Sequence, residues 1–297
     1  MNWFPPNQVI IQGIDDSQAA FYAVQMKAYG TNVVAGVSPG NGGTKVGSIP
    51  VFDLVEQVLT QVEKIDISLI FVHPYQVLDA AREAIFAGIR RIIIFTSGVP
   101  PLDTISLLKC ALANDTLVLG PGSQGILIPE QVWLGKLHPQ FYQLGTVGLI
   151  TNSQYLCYEV AWELNQAGIG QSIAVSLGTE RIIASNLSTW LSILNQDSNT
   201  KAIVSIGQSI NDTEEIIAYC REYGDHKPII AYIAGLKAPQ EKVFRNAWTI
   251  INNHLSASIP AVNTERQTVA ELKKAGIKVA KRPSEVPALI QQALFKK

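Results

Sequence analysis

Two carboxylates and two small polar groups stand side by side in Gly13-Ile14-Asp15-Asp16-Ser17-Gln18-Ala19, directly after an apolar run and directly before a helix-like one. That position suits anion capture, because the free amides and the dipole of a helix N-terminus favour negative charge. The residue types weaken a nucleotide reading: Gly-x-Gly-x-x-Gly spacing is missing, and Asp15 and Asp16 put negative charge where a phosphate would sit. Asp16 serves equally well as the cap of a helix starting at Ser17. A second loop, Ser38-Pro39-Gly40-Asn41-Gly42-Gly43-Thr44, has glycines that permit close approach to a ligand or simply form a turn, with Lys45 as the nearby cation. Thr96-Ser97-Gly98-Val99-Pro100 follows another apolar run and either contacts the same ligand or caps the next helix. The second strand ends in Val37-Ser38-Pro39 without the acidic residue that holds a nicotinamide ribose, so a dehydrogenase reading loses both supports.

Other chemistries have little behind them. No Gly-x-Ser-x-Gly elbow and no phosphate loop ending in Lys-Ser/Thr occurs. His73, His138, His226 and His254 are scattered and read as structural, as do Trp162, Trp190 and Trp248 as packing residues. Cys110, Cys157 and Cys220 lie far apart without metal-ligand spacing, so no metal site is expected, all three read as core residues, and a reducing cytoplasm is the expected compartment. A formal net charge of -1 gives no basic footprint for nucleic acid or an anionic membrane surface. The start, Met1-Asn2-Trp3-Phe4-Pro5-Pro6-Asn7, has no signal-peptide pattern, and no apolar run approaches membrane-spanning length. A soluble, unprocessed protein is expected.

These loops need a scaffold, and the chain supplies a βαβ rhythm. Val9-Ile10-Ile11, Val33-Val34-Ala35, Ile67 to Val72, Ile92 to Phe95 and Leu117-Val118-Leu119 are short, near-continuous apolar runs, which implies parallel strands buried on both faces. Helical spacing fills the gaps from Ser17 to Tyr29, Asp53 to Lys64, Tyr75 to Ala87 and Leu102 to Ala113, with Gly30 and Gly88 as stops. After Gly120-Pro121-Gly122-Ser123-Gln124-Gly125 the rhythm breaks, and it restarts at Val147-Gly148-Leu149-Ile150. The expected fold is therefore α/β: a doubly wound Rossmann-like domain over 1–125, a loop-rich linker over 126–146, and a flavodoxin-like domain over 147–297. The second half repeats the alternation, with strands at Ile173, Ala202, Ile229 and Thr249-Ile250-Ile251 and helices near Tyr155 to Gln166, Leu187 to Asn195, Thr213 to Tyr223 and Thr264 to Ala275.

Taken in order, Gln12-Gly13 with Ser17-Gln18, Ala28-Tyr29-Gly30-Thr31, Gly36-Val37-Ser38-Pro39-Gly40-x-Gly42-Gly43-Thr44 and Gly47-x-x-Pro50-Val51-Phe52 resemble the α subunit of succinyl-CoA synthetase. Thr96-x-Gly98-Val99-Pro100, Gly120-Pro121, Tyr158-Glu159, Gly170-Gln171-Ser172, Lys201 to Val204, Lys227-Pro228-Ile229 and Tyr232-Ile233-Ala234-Gly235-x-x-Ala238-Pro239 continue the likeness in register. The resemblance implies a first domain that binds coenzyme A, a second that carries a phosphorylated histidine, and a β subunit that supplies the nucleotide site. It places coenzyme contacts at Asp15, Asp16, Ser17, Gln18, Asn41, Phe95, Thr96 and Ser97, and the carboxylate substrate near Tyr158.

Departures fall on the functional positions. Asn246 stands where the family has its nucleophilic histidine, and Gln208 where it has the glutamate that orients that histidine. An amide nitrogen has its lone pair delocalised into the carbonyl, so Asn246 cannot attack phosphorus and then leave. The family's loop lysine is Asn41, which removes a cation from a polyanion site unless Lys45 replaces it, and two loop glycines are Asp16 and Ala19. Thr151-Asn152-Ser153-Gln154-Tyr155 replaces a small-residue turn, so bulk is expected to crowd a phosphate site. His254 lies beyond the Thr249-Ile250-Ile251 run and is a poor substitute nucleophile. Two function classes follow: a catalytically silent, coenzyme- or nucleotide-binding subunit that assembles with a β-like chain or with itself, and a working acyl-CoA ligase that uses another route.

Overall fold

The computed structural model describes Trp3 and residues 7–207, 210–224, 226–234 and 265–294. The first half builds β1 (Val9–Gln12), α1 (Ser17–Tyr29), β2 (Val33–Val37), β3 (Lys45–Val46), β4 (Ile49–Phe52), α2 (Val55–Leu59), β5 (Ile67–Ile70), α3 (Val77–Phe86), β6 (Arg91–Ile94), α4 (Pro101–Ala113) and β7 (Leu117–Leu119). Its sheet runs β3-β4-β2-β1-β5-β6-β7. The pairs from β4 to β7 are parallel, and only β3 is antiparallel. The chain moves outward from β1 through β2 and then returns to build β5 on the other side. The switch point therefore lies between β1 and β5, and a ligand crevice is expected beyond their carboxyl ends.

Helix α1 begins and ends where its residues dictate. Asp16 is its N-cap, in extended conformation, and its carboxylate accepts from the amides of Gln18 and Ala19. Gly30 closes it at φ 112°, a left-handed conformation that costs glycine little.

The second half contains β8 (Gly125–Ile128), β9 (Val132–Gly135), β10 (Leu144–Thr151), α5 (Leu156–Gln166), β11 (Gln171–Ser176), α6 (Leu187–Gln196), β12 (Ala202–Gly207), α7 (Ile210–Glu222), β13 (Ile229–Ile233), α8 (Glu265–Lys274), β14 (Lys278–Ala280) and α9 (Val286–Leu294). Its sheet runs β14-β13-β12-β10-β11-β8-β9, with the switch between β10 and β12. The expected linker over 126–146 is a correction in its first part: β8 pairs antiparallel with β11, and β9 with β8, so this hairpin forms one edge of the second sheet. The strands are missed in the sequence because both are buried along their whole length, without the alternation that marks an antiparallel hairpin.

The hairpin also binds the two halves together. Thr31 Oγ1 donates to Trp133 O at 2.7 Å and accepts from Trp133 N at 3.1 Å, while Glu130 N donates to the Tyr29 hydroxyl at 2.7 Å. One hydrophobic cluster runs from Val9 and Ile11 of β1 through Leu134 of β9 to Ile203 of β12 and Ile290 of α9. Trp3 joins it, stacked on Trp190 of α6 with ring centroids 5.8 Å apart. Two core expectations need correcting. Trp162 is 54% exposed on α5. Cys110 and Cys220 are only half-buried, and only Cys157 is buried.

Candidate functional site

Lys136, the residue after β9, is carried by the hairpin onto the carboxyl ends of β5 and β6. Its ammonium lies 5.5 Å from the Phe71 ring centroid and 5.9 Å from that of Phe95. Those two rings stack 4.4 Å apart at the ends of their strands. Burial pushes the Lys136 pKa down, and the charge of Asp16, across the switch point, pulls the other way. Phe71, Phe95, Asp16 and Lys136 thus converge where the topology places a ligand crevice. Neither Phe71 nor Lys136 is singled out by sequence patterning. The signal available is a lone lysine flanked by apolar runs, Val132 to Gly135 and Leu137.

The predicted coenzyme residues divide. Asp16 Oδ1 accepts from Gln18 N at 2.9 Å and Ala19 N at 3.1 Å, so two of the amides that would meet an anion are already occupied by a carboxylate. The capping alternative for Asp16 is therefore realised. Asp15, Ser17 and Gln18 are exposed on the same turn. Gly13 holds φ +79°, and a Cβ there would lie 2.9 Å from Val72 N, so glycine is what lets the loop after β1 close on the one after β5. Gln12, next to it, is structural: it is buried and bonds Ala80 O, Glu83 and Ser68.

Phe95 is 3% exposed and underlies the crevice rather than offering a face to solvent. Thr96 Oγ1 donates to Val72 O at 2.7 Å, Gly122 N donates to Thr96 O at 3.0 Å, and Gly98 N donates to Glu180 Oε1 at 2.8 Å. A Cβ on Gly122 would lie 2.8 Å from Thr179 Oγ1 and 3.1 Å from Ser97 Oγ. The loops after β6, β7 and β11 thus meet, and both sheets contribute to the crevice.

Asn41 lies in the loop after β2, on the β2 side of the crevice. Its side chain donates to Ser38 Oγ at 2.8 Å, and Asp53 Oδ1 pins the loop by accepting from Gly40 N at 2.7 Å and Gly42 N at 3.0 Å. Among the described residues no hydrogen bond joins this loop to the one after β6. Lys45 is exposed on β3. The cation at the switch point is Lys136, not Lys45.

Tyr158 sits in the first turn of α5, against Phe141 at 5.0 Å and His138 at 5.7 Å between ring centroids. It lines a cleft of about 510 Å³ with Trp162, Glu163 and Arg282. Burial, then the neighbouring Cys157, pushes its pKa far above that of an ordinary phenol, so the hydroxyl remains a neutral hydrogen-bonding group. In the turn before α5, Ser153 N donates to Thr151 Oγ1 at 2.9 Å and Leu156 N to Ser153 Oγ at 3.4 Å. Tyr155 is 73% exposed, and the turn is closed by its own hydroxyls. Gln208, Asn246, Trp248 and His254, with the Thr249-Ile250-Ile251 run, lie outside the described residues.

The architecture fits known proteins along the chain. Residues 5–98 match the family model described as CoA binding domain, and residues 144–249 match the succinyl-CoA ligase like flavodoxin domain. The chain thus carries a CoA-binding domain followed by a flavodoxin-like one. It is 35% identical over 287 residues to succinate–CoA ligase [ADP-forming] subunit alpha 2 of Archaeoglobus fulgidus, covering 97% of each chain. It is 33% identical to the corresponding alpha subunit of Aquifex aeolicus, covering 97% of this chain and 92% of that one. Among solved structures, ATP citrate lyase from Methanothrix soehngenii, in complex with citrate and coenzyme A, superposes with TM-score 0.81 at 16% identity. That likeness covers 99% of this chain and 50% of the lyase chain, so this chain spans about half of it. At that identity the lyase supports the fold alone, whereas the likeness to the two alpha subunits covers nearly all of this chain. The chain belongs to the succinate–CoA ligase alpha-subunit family.

Proposed function

We propose that this chain is a coenzyme A-binding alpha-type subunit that no longer relays phosphate and serves a beta-type ligase chain, or a second copy of itself, as a cytoplasmic assembly or regulatory subunit. Residues 1–125 hold the coenzyme, with Asp15, Ser17, Gln18, Thr96 and Ser97 around the crevice and Asn41 on its β2 side. Residues 147–297 form the ligase-type half. The hairpin between them ties one to the other.

The observation that carries the silent reading is Asn246 in place of the family's histidine, together with Gln208 in place of its orienting glutamate. Phosphoryl relay needs a nucleophile that attacks phosphorus and then leaves, and neither amide can do so. The structure's support for coenzyme binding is the crevice itself. It has an aromatic floor, a half-buried cation, and the loop glycines Gly40, Gly43 and Gly98, at each of which an added Cβ would meet nothing within 4 Å. The Asp16 cap argues that phosphates are not received by the start of α1. When bound, coenzyme A supplies the thiol that carries an acyl group; this chain's residues hold and orient it.

A second reading, an active acyl-CoA ligase with another nucleophile, is favoured by full-length identity to chains named as ligase subunits. In that case Tyr158, protonated at physiological pH, would orient the substrate carboxylate as a hydrogen-bond donor. One experiment separates the two. Incubation with a beta-type subunit, magnesium and labelled ATP is expected to leave the chain without acid-labile phosphate, and incubation with the same subunit, magnesium, ADP and inorganic phosphate is expected to release no thiol from succinyl-CoA. A labelled chain overturns the silent reading, and thiol release without label supports the second.

A further inference from the structure

We propose that Lys136 is the cation that holds a phosphate of coenzyme A in the crevice between β1 and β5, taking over the charge missing at Asn41. The inference rests on the coenzyme reading above and adds the residue that recognises the anion.

Four observations carry it. Lys136 follows β9 directly, and the hairpin is fixed against α1 through Trp133 and Thr31, so the lysine's root is held rigidly. Its ammonium lies over the paired Phe71 and Phe95 rings, the residues that directly follow β5 and β6. Among the described residues it makes no hydrogen bond and no ion pair within 4 Å; Asp16 acts on it only at longer range. An ammonium has three donors, and a half-buried one with none engaged has lost part of its hydration without gaining a partner. Finally, it stands at the switch point, where open α/β sheets bind ligands.

The amides at the start of α1 are closed by Asp16, and the loop after β2 offers Asn41, whose side chain is turned onto Ser38. Charge recognition therefore falls to Lys136. The aromatic pair below it stabilises the ammonium when no ligand is present and limits its rotamers. A bound phosphate would engage the free donors and raise the pKa that burial depresses.

Calorimetric titration of the full-length protein with coenzyme A and with pantetheine, which has no phosphate, tests this. Lys136→Met is expected to weaken coenzyme A binding about tenfold, the effect of one charge-assisted hydrogen bond, while leaving pantetheine binding unchanged. Lys136→Arg is expected to stay within about threefold of the unsubstituted chain, because the charge is retained. In the unsubstituted protein, coenzyme A is expected to slow acetylation of Lys136 by acetic anhydride, read by peptide mass spectrometry, which needs no variant to fold. Equal coenzyme A affinity for Lys136→Met and the unsubstituted chain, or acetylation indifferent to coenzyme A, overturns the inference alone. Failure of the unsubstituted protein to bind coenzyme A overturns it together with the reading it rests on.

Discussion

Asp16 shows how one side chain settles two questions at once. Its carboxylate closes the first turn of α1 and, by doing so, withholds Gln18 N and Ala19 N from any anion. It also opposes the burial-driven fall in the Lys136 pKa across the crevice. Asp16→Ala is expected to lower stability by about 1 kcal/mol in urea denaturation, the typical value of an N-cap. The same substitution frees two amides and removes a negative charge, so coenzyme A affinity is expected to rise in calorimetry. A fall in both quantities would mean that Asp16 contacts the ligand favourably. The capping role was legible from the residue's place before a helical run, whereas the charge coupling to Lys136, 120 residues away in sequence, was not.

At the level of elements, the β8–β9 hairpin is where sequence reading and structure part most. Helix α1 has a clear cap and glycine stop, α5 has an apolar face at helical spacing, and both form within one residue of their expected bounds. The hairpin strands Gly125–Ile128 and Val132–Gly135 lack alternation because one edge of the second sheet is covered on both faces, partly by α1. Its two glycines face each other in register. Gly125 has φ +99° and Gly135 φ +126°; a Cβ on the first would run into Leu134 O, and one on the second into the Phe95 ring. Gly125→Ala is therefore expected to lower stability by about 1–3 kcal/mol through backbone strain, measured by thermal denaturation. Because the hairpin positions Lys136, coenzyme A affinity should fall with it. A variant as stable as the parent would show that this edge can repack.

Across the whole molecule, the two sheets do not behave as separate cores. The cluster that contains β1 also contains β12, α6 and α9, and Trp3 stacks on Trp190 while Arg91 lies 5.5 Å above the Trp3 ring. A residue ahead of the first strand thereby packs on a helix of the second half. Far-UV dichroism and tryptophan fluorescence are expected to report one coincident thermal transition, as a shared core requires. Trp3→Ala should lower stability by about 3–5 kcal/mol, the usual effect of removing a buried aromatic. Two resolved transitions in the parent protein would contradict the shared core.

Local chemistry and periodicity determined much of this protein from sequence alone: the parallel α/β rhythm, the cap and stop of α1, and the loops at strand ends. These properties depend on residues near one another in the chain, or on the type of a single residue, and so can be read along it. Tertiary structure alone decided that the β8–β9 hairpin completes the second sheet, that Asp53 pins the Asn41 loop, and that Lys136 reaches the Phe71–Phe95 pair. Each of those facts joins groups distant in sequence, and only burial of shared apolar surface brings them together.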